Sequence, residues 1–307
     1  MEPVNTSSIK NESLVNSLPG FSSNFVAVNG INFHYVRGGA GLPLILLPGW
    51  PLTWWSYHKI MPVLAEYYDV IVVDYRGMGS SDKPVDGYDK KNMASDISEL
   101  VKELGLGPVH IAGHDIGAMI AFSFAANHPD QTAKLILLDA NHPEESMYQL
   151  TLIPPYGGFD GERLSIDTPY FWWWSFFQVK GLSEQLMEGR AHFIFEWFFQ
   201  NSLVDQNSIS SFDRSVYFSA YQTKDDIRAA NAWFQNFARD IEDQKSYAPL
   251  ELPVLGIAGA FYDWMGAVLP AKVKNLKMVK ATKTAHYPAQ EEPEFTAQTI
   301  IDFIATK

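Results

Sequence analysis

Gly113-His114-Asp115-Ile116-Gly117 constrains this 307-residue chain more than any other segment. The apolar run 108–112 ahead of it reads as a short buried strand, and 118–126 behind it reads as a helix. A strand that turns directly into a helix needs small residues two before and two after the central one, so that the two elements can approach closely. The central residue is then held in a strained conformation at the tip of the turn. Here that residue is Asp115. A carboxylate attacks esters and amides poorly, but it attacks saturated carbon bearing a leaving group well, giving an alkyl ester whose acyl carbon is the protein's own. The pentapeptide alone leaves a second reading open, in which Asp115 only caps the following helix.

The surrounding pattern is that of an α/β protein. Residues 25–28 and 31–36 flank Asn29-Gly30 and read as a β-hairpin. Apolar strands follow at 44–47, 70–74 and 134–139, interleaved with helices predicted at about 54–67 and 93–104. Strands resume at 253–258 and 276–280, and a helix over 295–304 closes the chain. This alternation predicts a mostly parallel eight-stranded sheet flanked by helices. Between 142 and 247 the strand signals vanish and aromatic residues crowd together, notably at 171–177 and 193–199. That stretch reads as a helical cap inserted over the open end of the sheet, leaving 1–141 and 248–307 as the core.

Composition limits the partners. A net charge of −12 argues against nucleic acid and anionic membranes. The absence of cysteine excludes disulfides and thiolate chemistry and fits a reducing, cytoplasmic setting. Residues 1–20 are polar, without the apolar stretch of a secretory signal, and apolar runs elsewhere are too short to span a bilayer. The histidines form no metal-ligand pattern: His110 and His114 are four apart, but on a strand and turn rather than on one helical face. No cofactor is expected, and the chain is read as a monomer or homodimer.

Four motifs in order complete the picture: Leu47-Pro48-Gly49-Trp50-Pro51, the segment 74–82 (Asp-Tyr-Arg-Gly-Met-Gly-Ser-Ser-Asp), the Asp115 turn, and Thr284-Ala285-His286-Tyr287-Pro288 followed by Glu291-Glu292-Pro293. From about Phe25 to the C-terminus the chain resembles the α/β-hydrolase family, within it the aspartate-nucleophile branch of soluble epoxide hydrolases and dehalogenases. The resemblance implies Asp115 as nucleophile and His286 as the base that activates water. It implies an oxyanion hole from the amides of Trp50 and Ile116. The acid orienting His286 is either Asp139 or Asp263. Asp139 is preferred, because the Gly259-to-Asp263 spacing is one residue longer than the usual pattern.

The chain also departs from that family. Pro48 stands where a histidine is usual. The two cap tyrosines that protonate a departing alkoxide in epoxide hydrolases align with Trp173 and Phe234. Phenylalanine donates nothing, and an indole N–H is not a useful acid. Tyr148, Tyr156, Tyr170, Tyr217 or Tyr221 is then required as a relocated donor if an epoxide is opened. Trp173 or Trp174 would serve a departing halide instead, yet Ile116 replaces the tryptophan common after the nucleophile in haloalkane dehalogenases. No arginine near the elbow supplies the carboxylate grip of fluoroacetate dehalogenases. The expected substrate is small and apolar, bound by Trp173, Trp174, Phe234, His142, Tyr170 and Tyr221. Three readings remain: opening of an apolar epoxide, displacement of a halide, or a ligand-binding or repurposed relative.

Overall fold

The computed structural model describes residues 9–150 and 171–306. Strands β1 (Phe21–Val28), β2 (Ile31–Gly39), β3 (Leu42–Leu47), β4 (Tyr68–Asp74), β5 (Val109–His114), β6 (Thr132–Leu138), β7 (Leu250–Ala258) and β8 (Val273–Lys280) form one sheet. Their spatial order is β1-β2-β4-β3-β5-β6-β7-β8. Strand β2 runs antiparallel to both neighbours, and every other pairing is parallel. The exception has a local cause. Asn29 (φ 50°) and Gly30 (φ 74°) make a two-residue left-handed turn that folds Ile31 back opposite Val28. The middle strands carry nearly unbroken apolar runs because helices cover both of their faces.

Helix α1 (Asn11–Val15) precedes the sheet, and α2 (Met61–Leu64), α3 (Lys90–Glu103) and α4 (Ile116–Asn127) alternate with the strands. Between β6 and β7 come α5 (Trp172–Gln178), α6 (Leu182–Met187), α7 (Ala191–Ser202), α8 (Ser211–Ser219), α9 (Lys224–Gln235) and α10 (Phe237–Lys245). Helices α11 (Tyr262–Val268), α12 (Pro288–Glu291) and α13 (Pro293–Ala305) complete the chain. The single helix predicted over 54–67 is broken into a 3-10 turn, Trp54–Tyr57, and the short α2. Pro62 has no N–H with which to continue the earlier turn. Among the described residues no helix is long and apolar enough to cross a membrane.

Strands β4 and β5 lie on opposite sides of β3. Loops leaving β3 and β5 therefore diverge, opening a crevice at the carboxyl ends of the strands. The elbow after β5 is tight. A Cβ on Gly113 would sit 2.2 Å from the Gly117 carbonyl oxygen, and one on Gly117 would sit 2.2 Å from the Leu47 carbonyl oxygen. Asp115 between them has φ 49° and ψ −120°.

The helices between β6 and β7 are tied to the core by buried polar contacts. Lys90 at the start of α3 is fully buried; its Nζ donates to Asp240 Oδ2 at 2.9 Å and to the Trp233 carbonyl at 2.7 Å. The Lys90 backbone N–H donates to Asp240 Oδ1 at 2.7 Å. Trp55 Nε1 donates to Asp213 at 2.7 Å, and Trp233 Nε1 to the Arg76 carbonyl at 3.1 Å. Removing one partner of a buried ion pair leaves the other charge without compensation, at a cost of about 3–5 kcal/mol. K90M is therefore expected to lower the urea-unfolding free energy by about 3–5 kcal/mol. A loss under about 1 kcal/mol would mean that surface-like screening reaches this pair.

Candidate active site

Four chain segments meet at the carboxyl end of the sheet: the turn after β3, the elbow after β5, the end of β6, and the loop between β8 and α12. They bring Trp50, Asp115, Asp139 and His286 together. The Asp115 side chain does not cap α4. One carboxylate oxygen, Oδ1, accepts the Trp50 N–H at 2.9 Å, and the Ile116 amide also bonds the carboxylate. The other, Oδ2, stands 3.7 Å from His286 Nε2. On the far side of the imidazole, Nδ1 lies 2.8 Å from Asp139 Oδ2.

Asp139, like Asp115, has a positive φ, of 46°. Its Oδ1 accepts the N–H groups of Gly259 (2.8 Å) and Phe261 (3.0 Å), the residues that follow β7. Fully occupied as an acceptor, this carboxylate fixes a proton on Nδ1 and turns Nε2 toward Asp115. Asp263 lies elsewhere, exposed in the first turn of α11, because the chain turns into that helix before the residue can reach His286. Of the two acids considered, only Asp139 contacts the imidazole.

Exposure separates the roles of the three groups. Asp139 is fully buried, whereas the side chains of Asp115 and His286 keep 19% and 16% of their surface open to a cavity. Burial opposes charge on His286, but Asp115 and Asp139 together raise its pKa to about 10. Burial likewise opposes charge on Asp115, yet the hydrogen bonds and positive charge supplied by His286 hold its pKa below the ordinary carboxylate value. For Asp139, burial wins over its hydrogen bonds and the pKa is raised. The resting pair is thus an imidazolium between carboxylates.

The turn carrying Trp50 is braced without the usual histidine. Tyr75 donates its hydroxyl to the Pro48 carbonyl and Tyr57 to that of Leu47, both at 3.0 Å. The Trp50–Pro51 peptide is cis. A Cβ on Gly49 would stand 2.6 Å from both Asp115 Cβ and His114 Nδ1, so only glycine permits this approach. The Trp50 ring inserts edge-on among Phe177, Phe195, Phe198 and Phe234, with centroids 4.8–5.6 Å away.

Above Asp115 lies a cavity of about 270 Å³ with overwhelmingly apolar walls. Trp173, Trp174 and Phe234 line it. His142 does not: it is buried between Phe122 and Tyr247, with Nδ1 3.0 Å from the Pro143 carbonyl. Tyr221 also points away, donating its hydroxyl to the Leu52 carbonyl at 2.9 Å. Tyr170, like Tyr156, lies outside the described residues. Of the other tyrosines weighed as donors, Tyr148 is exposed and Tyr217 is buried beside Gln290.

Sequence reasoning missed Tyr287, Ser202 and Asn201, which also line the cavity. The Tyr287 phenol faces the Ser202 hydroxyl, which itself donates to the Phe198 carbonyl at 2.6 Å. Burial, reinforced by Asp115, keeps that phenol protonated well above its ordinary pKa. His114, read from sequence only as part of no metal-ligand pattern, has its Nε2 2.7 Å from the His286 carbonyl. Burial drops its pKa to about 3, so the neutral ring donates from Nε2. Among the described residues no cluster of His, Asp or Glu has the makings of a metal site.

Residues 43–165 match the model of the alpha/beta hydrolase fold, covering the turn after β3 and the elbow. The chain has the α/β-hydrolase fold. It is 28% identical to the soluble epoxide hydrolase of Corynebacterium sp. (strain C12) over 292 residues, 91% of this chain and 95% of that protein. A shorter match, 35% identical over 164 residues, covers 52% of this chain and 50% of the fluoroacetate dehalogenase of Burkholderia sp.. Among solved structures, epoxide hydrolase CorEH superposes with a TM-score of 0.81 at 29% identity, covering 93% of this chain and 99% of that one. The chain is accordingly a hydrolase.

The imidazole titration is directly measurable. In the wild type, the His286 ring nitrogens followed by ¹⁵N NMR should titrate near pH 10. Removing one carboxylate charge in D139N should bring the midpoint back toward the ordinary 6.5. An unchanged midpoint would show that Asp139 does not set the charge state of this ring.

Proposed function

We propose that this enzyme hydrolyses a small, neutral, apolar epoxide through an alkyl ester on Asp115. The observation that carries the reading is the divided Asp115 carboxylate. Oδ1 rests on the Trp50 amide at 2.9 Å, Oδ2 stands 3.7 Å from His286 Nε2, and the side chain lines the cavity. The helices between β6 and β7 act as the cap, and their aromatic walls favour an uncharged substrate. No lysine or arginine lines the cavity among the described residues, which argues against a carboxylate-bearing substrate such as a haloacid.

In the first step Oδ2 attacks an epoxide carbon, the carbon–oxygen bond breaks, and the ring oxygen departs as an alkoxide. Tyr287 donates its proton to that oxygen. The resulting phenolate recovers a proton from His286, whose ring centroid is 5.0 Å away. One proton has thereby moved from the resting imidazolium to the product alcohol, and His286 is left neutral. Esterification has also removed the Asp115 charge, so the imidazole's affinity for a proton falls when a base is needed.

In the second step neutral His286 takes a proton from water as the water oxygen attacks Asp115 Cγ. The developing oxyanion lies where Oδ1 already receives the Trp50 amide, beside the Ile116 amide that also bonds this carboxylate. Collapse releases the diol oxygen, which takes the proton of the newly formed carboxylic acid. Asp115 carboxylate and His286 imidazolium are restored.

Halide displacement by the same nucleophile is a second reading, favoured by the indole rings of Trp173 and Trp174 in the cavity wall. It needs no proton donor, and this separates the two. Y287F should lower diol formation from styrene oxide by about 100-fold or more, within the range for loss of a general acid. Halide release from 1-bromobutane, if any, should change only a few-fold. Diol formation undiminished in Y287F would remove the phenol from the mechanism.

A further inference from the structure

Glu291, at the end of α12, is a largely buried carboxylate held by main-chain donors. Its Oε1 accepts three consecutive amides, those of Ala285 (3.0 Å), His286 (3.1 Å) and Tyr287 (3.0 Å). Its Oε2 accepts the Val204 N–H at 2.7 Å. Val204 lies two residues beyond Ser202, the last residue of α7, which lines the cavity. No lysine or arginine forms an ion pair with Glu291 among the described residues, although burial raises its pKa. A carboxylate placed this way has its negative charge spread over four peptide dipoles. Adjacent Glu292 fixes the preceding residues, accepting the Lys283 N–H at 2.8 Å and the Thr284 hydroxyl at 2.9 Å.

We propose that Glu291 is the positioning residue that holds the His286 imidazole in register with Asp115 and links that register to the helices above the cavity. The His286 peptide is gripped on both sides: its N–H by Glu291 and its carbonyl by His114 at 2.7 Å. Asp139 sets the ring's rotation through Nδ1, but only the main chain sets where the ring stands along the crevice. Oε2 extends this grip to the segment following α7, so a substrate pressing on the Ser202 end of α7 acts on the same carboxylate that holds the base. Small misplacements of a catalytic group cost rate steeply, up to about 100-fold for an ångström.

The assignment rests on the reading that His286 activates water in ester hydrolysis, whereas in ester formation it only returns a proton to Tyr287 after the attack. Loosening Glu291, which also holds the Tyr287 amide, should then slow the second half-reaction far more than the first. In E291Q, which keeps an acceptor oxygen but loses the charge, ester hydrolysis should slow about 10-fold, and in E291A about 100-fold. Formation of the ester should stay within about threefold in both variants. Quenched-flow mass spectrometry of the peptide containing Asp115, with styrene oxide as probe, gives the two rate constants separately. The adduct should accumulate in both variants and not in the wild type. If E291A does not fold, E291Q carries the test, since it conserves shape.

Equal slowing of both half-reactions would overturn the proposal, because it would mark general damage to the fold. Unchanged hydrolysis in E291Q and E291A would overturn it as well. An H286Q control keeps the two levels apart. If H286Q accumulates the adduct while the Glu291 variants behave as wild type, only the Glu291 assignment fails. If H286Q forms no adduct with styrene oxide or 1-bromobutane, the covalent reading itself fails.

Discussion

The site depends on one imidazole shared by two carboxylates in a space that excludes most water. Asp139 binds one edge of the His286 ring at 2.8 Å, and Asp115 faces the other at 3.7 Å. The inequality of these distances divides the labour. The short contact is a hydrogen bond that orients the ring; the long one leaves Oδ2 as the attacking oxygen of the proposed reaction. Both aspartates have positive φ, a conformation that costs a non-glycine residue of order 1–3 kcal/mol and survives only where the surroundings enforce it. The enforcement is visible: glycines 113 and 117 let strand, elbow and helix close on Asp115, and two backbone amides seize Asp139.

Charge and packing then complement each other. The cavity wall is aromatic, so an electrically neutral ligand displaces little structured charge as it enters, and the ion pair beneath it stays poorly screened. Trp50 joins the two regimes. Its amide belongs to the polar floor and touches the Asp115 carboxylate, while its ring is wedged among phenylalanines of α5, α7 and α9. The turn that would hold the proposed oxyanion is thus packed directly against those helices.

Much of this was legible in the sequence, and the reasons for the remainder are physical. The sheet could be read because buried parallel strands leave continuous apolar runs, and the hairpin because Asn-Gly permits a left-handed turn. Asp115 and His286 could be placed because each sits in a loop whose position follows from strand order. Asp139 and Asp263 both followed strands, and the choice turned on where α11 begins, which no motif specified. Side-chain direction was the main blind spot. His142 and Tyr221 belong to segments beside the cavity, yet packing against Phe122 and a hydrogen bond to Leu52 turn them away. Tyr287, Ser202 and His114 acquire significance only through contacts between segments far apart in the chain. Glu291 was visible as part of a motif, but its four amide partners were not.

The central claim is that Asp115 becomes esterified and that water attacks its own Cγ rather than the substrate. Isotope labelling tests this most directly. A single turnover of styrene oxide by excess enzyme in H₂¹⁸O should yield diol free of ¹⁸O, with the label recovered in the peptide containing Asp115. Diol carrying ¹⁸O from that first turnover, with Asp115 unlabelled, would show that water attacks the substrate directly and would contradict the account.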